Sequence, residues 1–298
     1  MYLSKLRFLI LLLAAFGLAA AGGLASTEDT TPPPAPRCVL YVFAHQDDEL
    51  FVLGQMRRDV LAGCEVHTLW TTDGGRDGKP AARERESRAV MALIGVPAAN
   101  LHFLRFPDHA TYRYVPALAA LMEEVVHTRP FAEVISPAYE GGNIDHDVAA
   151  LMGAYAARIA GPAVIHREFP LYNRFQRRAH YGEFLPNADS PVIFAPHDTA
   201  SQAMVLQAMK LYRSQRVLLT VLSIVGRKKV MLARGEPFRV APSYNYLRPP
   251  VPETCGYEVS GLHRAKFRDW VNGVGPFLRS HPALLPTAAD RAPLAKQS

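Results

Sequence analysis

Cys38-Val39-Leu40-Tyr41-Val42-Phe43-Ala44-His45-Gln46-Asp47-Asp48-Glu49 is the stretch on which the reading of this chain turns. Its first half is continuous, β-branched and aromatic, and too short for a helix. That pattern predicts a buried strand over Cys38–Phe43. Its second half crowds an imidazole, His45, against two carboxylates, Asp47 and Asp48. Such a cluster is too polar for a core and too dense for an ordinary loop. A helical pattern begins just beyond it, at Leu50. If His45 and Asp48 both point inward from this turn, they can share a cation, and Asp47 stays free to hold a water. That is the arrangement of a metal-dependent hydrolase.

Outward from this stretch, short apolar runs alternate with longer amphipathic ones. Further strands are expected at Val66–Thr71, Leu101–Arg105, Glu133–Ser136 and Ala163–Glu168. Helices are expected at Leu50–Leu61, Ala81–Ile94, Tyr114–His127 and Ile144–Ile159, with Gly63, Gly95, Pro130 and Gly161 marking their ends. The segment from Thr72 to Pro80 reads as a flexible loop. Alternating strands and helices predict an α/β fold: a mostly parallel sheet covered by helices on both faces. Sites in such sheets lie beyond the carboxyl ends of the strands. His45 follows the first strand, Asp73 the second, Asp108 the third and Asp145-His146 the fourth, so four strand ends offer polar groups to one edge. Past Leu171 the pattern is less regular. Gln202–Thr220 and Leu262–Val271 read as helices, Val221–Phe238 stays unassigned, and residues 282–298 read as a loose tail.

The chain has 298 residues, 49 % of them hydrophobic and 20 % charged, the balance of a globular protein. The formal charge of +6 is mild and its cations are scattered, which gives no nucleic-acid footprint. Lys5 and Arg7, the apolar run Phe8–Ala21 and the small residues after it predict a signal peptide over residues 1–26. The apolar run falls short of the ~20 residues of a spanning helix, so export to a periplasmic or extracellular location is favoured over an uncleaved membrane anchor. Residues 27–36 read as an extended proline-rich linker, and residues 37–281 as one domain with its motifs in 38–172. Cys38, Cys64 and Cys255 form no C-x-x-C pair and read as buried small hydrophobes, with a disulfide between two of them left open.

A hydrolytic metal site needs protein ligands and a position for water. His45 and Asp48 supply two ligands, and His146, at the start of a helix on the same sheet edge, is the candidate third. Nitrogen and carboxylate oxygen suit zinc, and other divalent ions of similar size also fit. Asp47 is the candidate general base. The bland alternative makes Asp47 and Asp48 helix-start carboxylates, but capping does not call for the histidine. Glu49 reads as a first-turn helix carboxylate. Arg83–Arg88 reads as a solvated helix face with an Arg83–Glu86 pair. No H-E-x-x-H, no G-x-S-x-G and no G-x-G-x-x-G after the first strand is present.

The Ala44–Glu49 segment resembles the Ala-His-Pro-Asp-Asp-Glu motif of the LmbE-like (PIG-L) zinc-dependent N-deacetylases, with Gln46 in the proline position. Glu140-Gly141-Gly142-Asn143-Ile144-Asp145-His146 is similar to that family's Gly-Gly-His-Pro-Asp-His segment. Weaker likenesses lie at Thr72–Gly75, at Arg83–Glu86 with Leu93–Val96, and at Leu104–Asp108, so the resemblance spans about Val39 to Tyr172. It implies a Rossmann-like fold and hydrolysis of an N-acetyl group from an amino sugar or a related small amide. It implies His45, Asp48 and His146 as zinc ligands, Asp47 as base, and Arg83 and Asp108 as substrate contacts. One departure stands out. Where the family has a histidine thought to protonate the leaving amine or steady the oxyanion, this chain has Asn143, which cannot deliver a proton. Asp145, which orients that histidine in the family, is expected to lose its partner. His109 and His180 are candidate replacements, and Tyr139 is a candidate oxyanion donor. The departure keeps a second reading open: a weakly active or inactive relative that binds sugar or metal.

Overall fold

The computed structural model describes residues 37–196, 198–216, 219, 235–260 and 265–286. The expected signal peptide and linker lie outside these residues.

The first strand, β1, is Cys38–Phe43, and every residue of it is buried. Its neighbours show why the run is apolar throughout. Val39, Tyr41 and Phe43 enter one core layer, and Leu40 and Val42 enter the other. Side chains alternate across a strand, so a strand covered on both faces has no polar side to show. β2 (Glu65–Thr72), β3 (Leu101–Phe106), β4 (Phe131–Pro137) and β5 (Ile165–Phe169) join it in parallel register. β6 (Tyr172–Asn173) and β7 (His180–Tyr181) form a separate antiparallel ribbon. β8 (Ile193–Ala195) and β9 (Glu236–Val240) extend the main sheet antiparallel beyond β5. The order is β3-β2-β1-β4-β5-β9-β8, so the winding reverses between β1 and β4. Such a switch point opens a crevice at the carboxyl ends of both strands.

Helices α1 (Leu53–Leu61), α2 (Pro80–Ile94), α3 (Val115–Val126), α4 (Ile144–Ala160), α5 (Thr199–Leu211) and α6 (Phe267–Ser280) cover the sheet. α1, α2 and α5 pack on the layer of Tyr41 and Phe43, while α3, α4 and α6 pack on the layer of Leu40 and Val42. The expected doubly covered, mostly parallel sheet is thus the observed one. Among the described residues no helix is long and apolar enough to cross a membrane.

Three expectations are corrected. The helix predicted from Leu50 is two pieces, a 3-10 turn at Asp48–Phe51 and then α1, because Val52 leaves helical geometry at φ −132°. The helix predicted at Leu262–Val271 lies at Phe267–Ser280 and runs through Pro276. Burial of Trp270, Val274, Phe277 and Leu278 on one face outweighs the local propensity of Gly273, Gly275 and Pro276. Of the tail expected to be loose over residues 282–298, residues 287–298 lie outside the described set; Pro282–Leu284 makes a 3-10 turn, and Leu284 packs into the core beside α6. β9 begins in the stretch left unassigned; residues 220–234 lie outside the described set. All three cysteines are free thiols, Cys38 and Cys255 buried and Cys64 partly so.

Two acids sit fully inside this fold. Asp147, in the first turn of α4, accepts the amides of Glu140 and Gly141 on Oδ1 at 3.2 and 3.0 Å. Among the described residues its Oδ2 has no hydrogen-bond partner. Glu140 accepts the Leu171 amide at 2.8 Å. Burial pushes both carboxyls up to about 8. A carboxyl whose folded value is raised favours folding while it is neutral. Its contribution is full below about pH 4, where the unfolded chain is also protonated, and is lost as pH rises through about 8. Asp147→Asn keeps the Oδ1 acceptor and removes the charge. It should leave the thermal midpoint near wild type below about pH 4 and raise it at pH 9, where the gain in stability is on the order of a few kcal/mol. Parallel midpoint curves for the two proteins across that range would remove Asp147 from the account.

Candidate metal centre and active site

The chain leaves β1 at Ala44 and turns back on itself. Asp48 makes the turn: its Oδ2 accepts the amides of Ala44 at 3.1 Å and His45 at 2.8 Å. Asp47 then adopts φ 132°, a region that a residue with a side chain rarely occupies. Such strain persists only where the surroundings over-determine it. Here the Asp47 amide donates to Glu49 Oε2 at 2.9 Å. Arg83 from α2 donates to the Gln46 carbonyl and pairs with Asp47 Oδ1 at 3.0 Å. Glu49 is fully buried and also accepts from Trp70 Nε1, at 3.3 Å, and from the Tyr212 hydroxyl. Gln46 donates to the Thr72 carbonyl at 3.0 Å, tying the turn to the end of β2. Gly74 lies so close that a Cβ there would stand 2.3 Å from Gln46 Oε1.

The solvated face expected around Arg83 is corrected by this arrangement. Arg83 is 6 % exposed, and its guanidinium is committed to Gln46, Gly74 and Asp47. Glu86 accepts from Ser214 instead of pairing with Arg83. It is Glu84 that carries ion pairs, with Arg88 and Arg105, both at 2.8 Å. Arg83 therefore shapes the turn that presents Asp47.

The structure brings His45, Asp48 and His146 together. His146 Nε2 lies 3.1 Å from His45 Nδ1 and 3.4 Å from Asp48 Oδ1. One ligand atom from each falls within 4.8 Å of the others, and all three residues are buried. On its other edge, His45 Nε2 faces Asp108 Oδ1 at 3.2 Å and Asp145 Oδ2 at 3.4 Å. Two carboxylates there call for an N–H on Nε2, which leaves the Nδ1 lone pair toward His146 and Asp48. Two imidazole nitrogens converging beside a carboxylate fit a divalent cation, and the donor types are those zinc takes. A second group, His45 with Asp108 and Asp145, also lies within 4.8 Å. Burial works against a charge on His45, but Asp108, Asp145 and Asp48 outweigh it and hold its pKa well above the usual histidine range. The site is built for positive charge. Asp47 is shifted the other way. Burial raises its carboxyl to about 7, against the pull of Arg83, with Asp48 and Glu49 adding to the rise.

The remaining candidates divide. Asn143 caps α4, its side chain accepting the Asp145 amide at 2.8 Å and donating to the Tyr172 hydroxyl at 3.1 Å. Asp145 has other partners than the histidine it was expected to lose. It accepts the amides of His109, at 2.5 Å, and Thr111, at 3.2 Å, besides facing His45. Asp108, expected at the substrate, is buried against His45, and its other oxygen accepts the Arg76 amide at 3.3 Å. His109 lies beside Asp108 at 3.4 Å, with a positive φ of 64°. It borders a cavity of about 690 Å³ whose lining includes Arg113, Asp269 and Asn272. His180 is bonded to Glu183 and to the Phe175 carbonyl, on the β6–β7 ribbon. Tyr139 is corrected: it is a packing residue. It is 2 % exposed, its hydroxyl donates to the Arg248 carbonyl at 2.9 Å, and its ring lies among Tyr244, Tyr246 and Trp270. The residue missed by sequence reasoning is Tyr172. It follows β5 in the irregular stretch, where no periodicity marks it. Its ring stands edge-on to His146 with centroids 5.0 Å apart. Burial raises its phenol far above the ordinary tyrosine value, so it stays protonated.

Residues 40–157 match the family model PIG-L, described as GlcNAc-PI de-N-acetylase. Over these residues the chain is similar to a PIG-L domain. The match spans both motif segments that carried the resemblance, His45–Glu49 and Glu140–His146. No curated protein matches in sequence. Among solved structures, the zinc-inhibited form of teicoplanin deacetylase Orf2 aligns with a TM-score of 0.53 at 13 % identity, covering 68 % of this chain and 97 % of that one. The A40926 pseudoaglycone deacetylase Dbv21 aligns with a TM-score of 0.51 at 18 % identity, covering 69 % and 96 %. At such identities the likeness is one of fold, and it extends the shared architecture beyond the residues of the PIG-L match.

Two groups share His45, one with Asp48 and His146 and one with Asp108 and Asp145, and metal affinity tells them apart. In competition titrations with Zn²⁺ and Co²⁺, His146→Ala should lose more than about 100-fold in affinity. Asp108→Asn should lose roughly 10–100-fold, the usual cost of an outer partner of a ligating histidine. Equal losses would mean that Asp108 is itself a ligand.

Proposed function

We propose that this protein is a zinc-dependent hydrolase that removes an N-acetyl group from an amino sugar or a related small amide. The observation that carries the reading is the buried trio of His45, Asp48 and His146 at the β1/β4 crevice, with Asp47 held beside it in a strained turn. The PIG-L match supports the reaction class. His45, Asp48 and His146 would hold the metal; when bound, it would supply polarisation of the amide carbonyl and acidification of a water.

The protein's own groups account for the proton. Asp47 is deprotonated above about pH 7 and accepts the proton of the attacking water on its carboxylate. Arg83 holds that carboxylate in place and prevents it from swinging away. As the C–N bond breaks, the protonated Asp47 passes the proton to the leaving nitrogen, giving a free amine and acetate. Asn143 cannot take that step, and His180 is engaged elsewhere. One acid near neutrality, used in both directions, closes the cycle. The polar cavity beside His109 is where the rest of a sugar would lie. The leader read from the sequence adds export to this proposal, placing the substrate outside the cytoplasm.

The second reading, a sugar- or metal-binding relative without turnover, is favoured only by Asn143. Metal analysis with acetate release from N-acetylglucosamine, its glycosides and simple acetamides separates the two. Zinc without release from any of these supports the binder. For the enzyme, Asp47→Asn should retain metal and lose roughly 10³-fold in kcat. Wild-type activity should rise with pH through about 7 as Asp47 ionises. Full activity of Asp47→Asn would remove the assigned base.

A further inference from the structure

Resting on the deacetylase reading, we infer that Tyr172 donates a hydrogen bond to the acetyl carbonyl oxygen as that oxygen gains negative charge. It does so beside Asn143, at the position where the family pattern has a histidine. The argument begins with the helix cap. Asn143 Oδ1 accepts the Asp145 amide at 2.8 Å, and this fixes which way the side-chain amide faces. Its Nδ2 therefore points at Tyr172 Oη, 3.1 Å away. An amide nitrogen only donates, so the phenol oxygen accepts there and its own proton must point elsewhere. Among the described residues that proton meets no protein acceptor. The ring stands edge-on to His146, with centroids 5.0 Å apart, which puts the phenol beside the candidate metal ligands.

Tyr172 is also held in place. Leu171 and Asn173, on either side of it, are both anchored to the buried Glu140, by the Leu171 amide at 2.8 Å and Asn173 Nδ2 at 3.3 Å. Gly142 presses on it from the motif side: a Cβ there would come within 1.8 Å of the Tyr172 carbonyl oxygen. β6 thus seats the tyrosine directly on the segment that supplies His146. A fixed donor aimed at the oxygen where charge develops is what lowers the barrier for acyl transfer. A phenol does this without giving up its proton. Asn143 lost the family's imidazole and gained the task of orienting a hydroxyl.

The test uses the full-length zinc-loaded protein and methylphosphonate, a tetrahedral anion, as probe. Tyr172→Phe removes one oxygen. It should leave zinc content and the thermal midpoint unchanged, raise the probe's Kd by roughly 10- to 100-fold, and lower kcat for acetate release with KM unchanged. Asn143→Ser keeps a cap acceptor and should weaken probe binding in the wild-type background but not in Tyr172→Phe. An unchanged Kd in Tyr172→Phe overturns the inference, as does a wild type that does not bind the probe. So does an equal effect of Asn143→Ser in both backgrounds. A wild type that binds the probe and releases no acetate defeats the deacetylase reading, and the Kd of Tyr172→Phe then still decides whether the phenol contacts the anion.

Discussion

The salt bridge between Arg83 and Asp47 is the contact on which the site depends. It joins the second helix to the end of the first strand, and the same guanidinium holds the carbonyl of Gln46. Without it, a buried carboxylate would stand unpaired at a backbone angle that its own side chain opposes. Breaking a buried pair costs about 3–5 kcal/mol in other proteins. The turn is affordable here because Glu49, Gln46 and Gly74 brace it from other directions. The outcome is a carboxylate whose position is fixed by packing.

Charge is the second constraint. Asp48, Asp108 and Asp145 all approach one imidazole, and none of them is solvated. Like charges gathered in a dry crevice demand a counter-charge, whether a proton on His45 or a cation shared with His146. Asp47 stands one residue from the same cluster, yet burial drives it toward neutrality while Asp48 is held ionised by its histidines, against burial. Neighbouring carboxylates thus sit at opposite ends of the titration range, an arrangement suited to one structural acid and one working acid.

Much of this was legible in the sequence. Continuous apolar runs identified the parallel strands because burial on both faces leaves no other pattern. The motif at His45–Glu49 located the crevice, and His146 was found because it follows another strand end on the same edge. What stayed hidden depends on contacts distant in sequence. Arg83 looked like part of a charged helix surface, since nothing in Arg83–Arg88 shows which cation turns inward. Tyr139 and Tyr172 are indistinguishable as letters; one is enclosed by aromatic rings and the other faces His146. The helix α6 was misplaced because Gly273 and Pro276 argue locally against it, while Trp270 and Phe277 are recruited by the core.

His45 and His146 meet although 101 positions separate them. Their meeting needs β4 to be inserted beside β1 after the chain has already travelled out to the β3 edge and back. No hairpin or helical pair assembled early can bring them into register, since parallel neighbours are joined only by long crossovers. Competence at this crevice therefore arrives with the central strand pairing, and a chain that has folded only its first half is chemically silent.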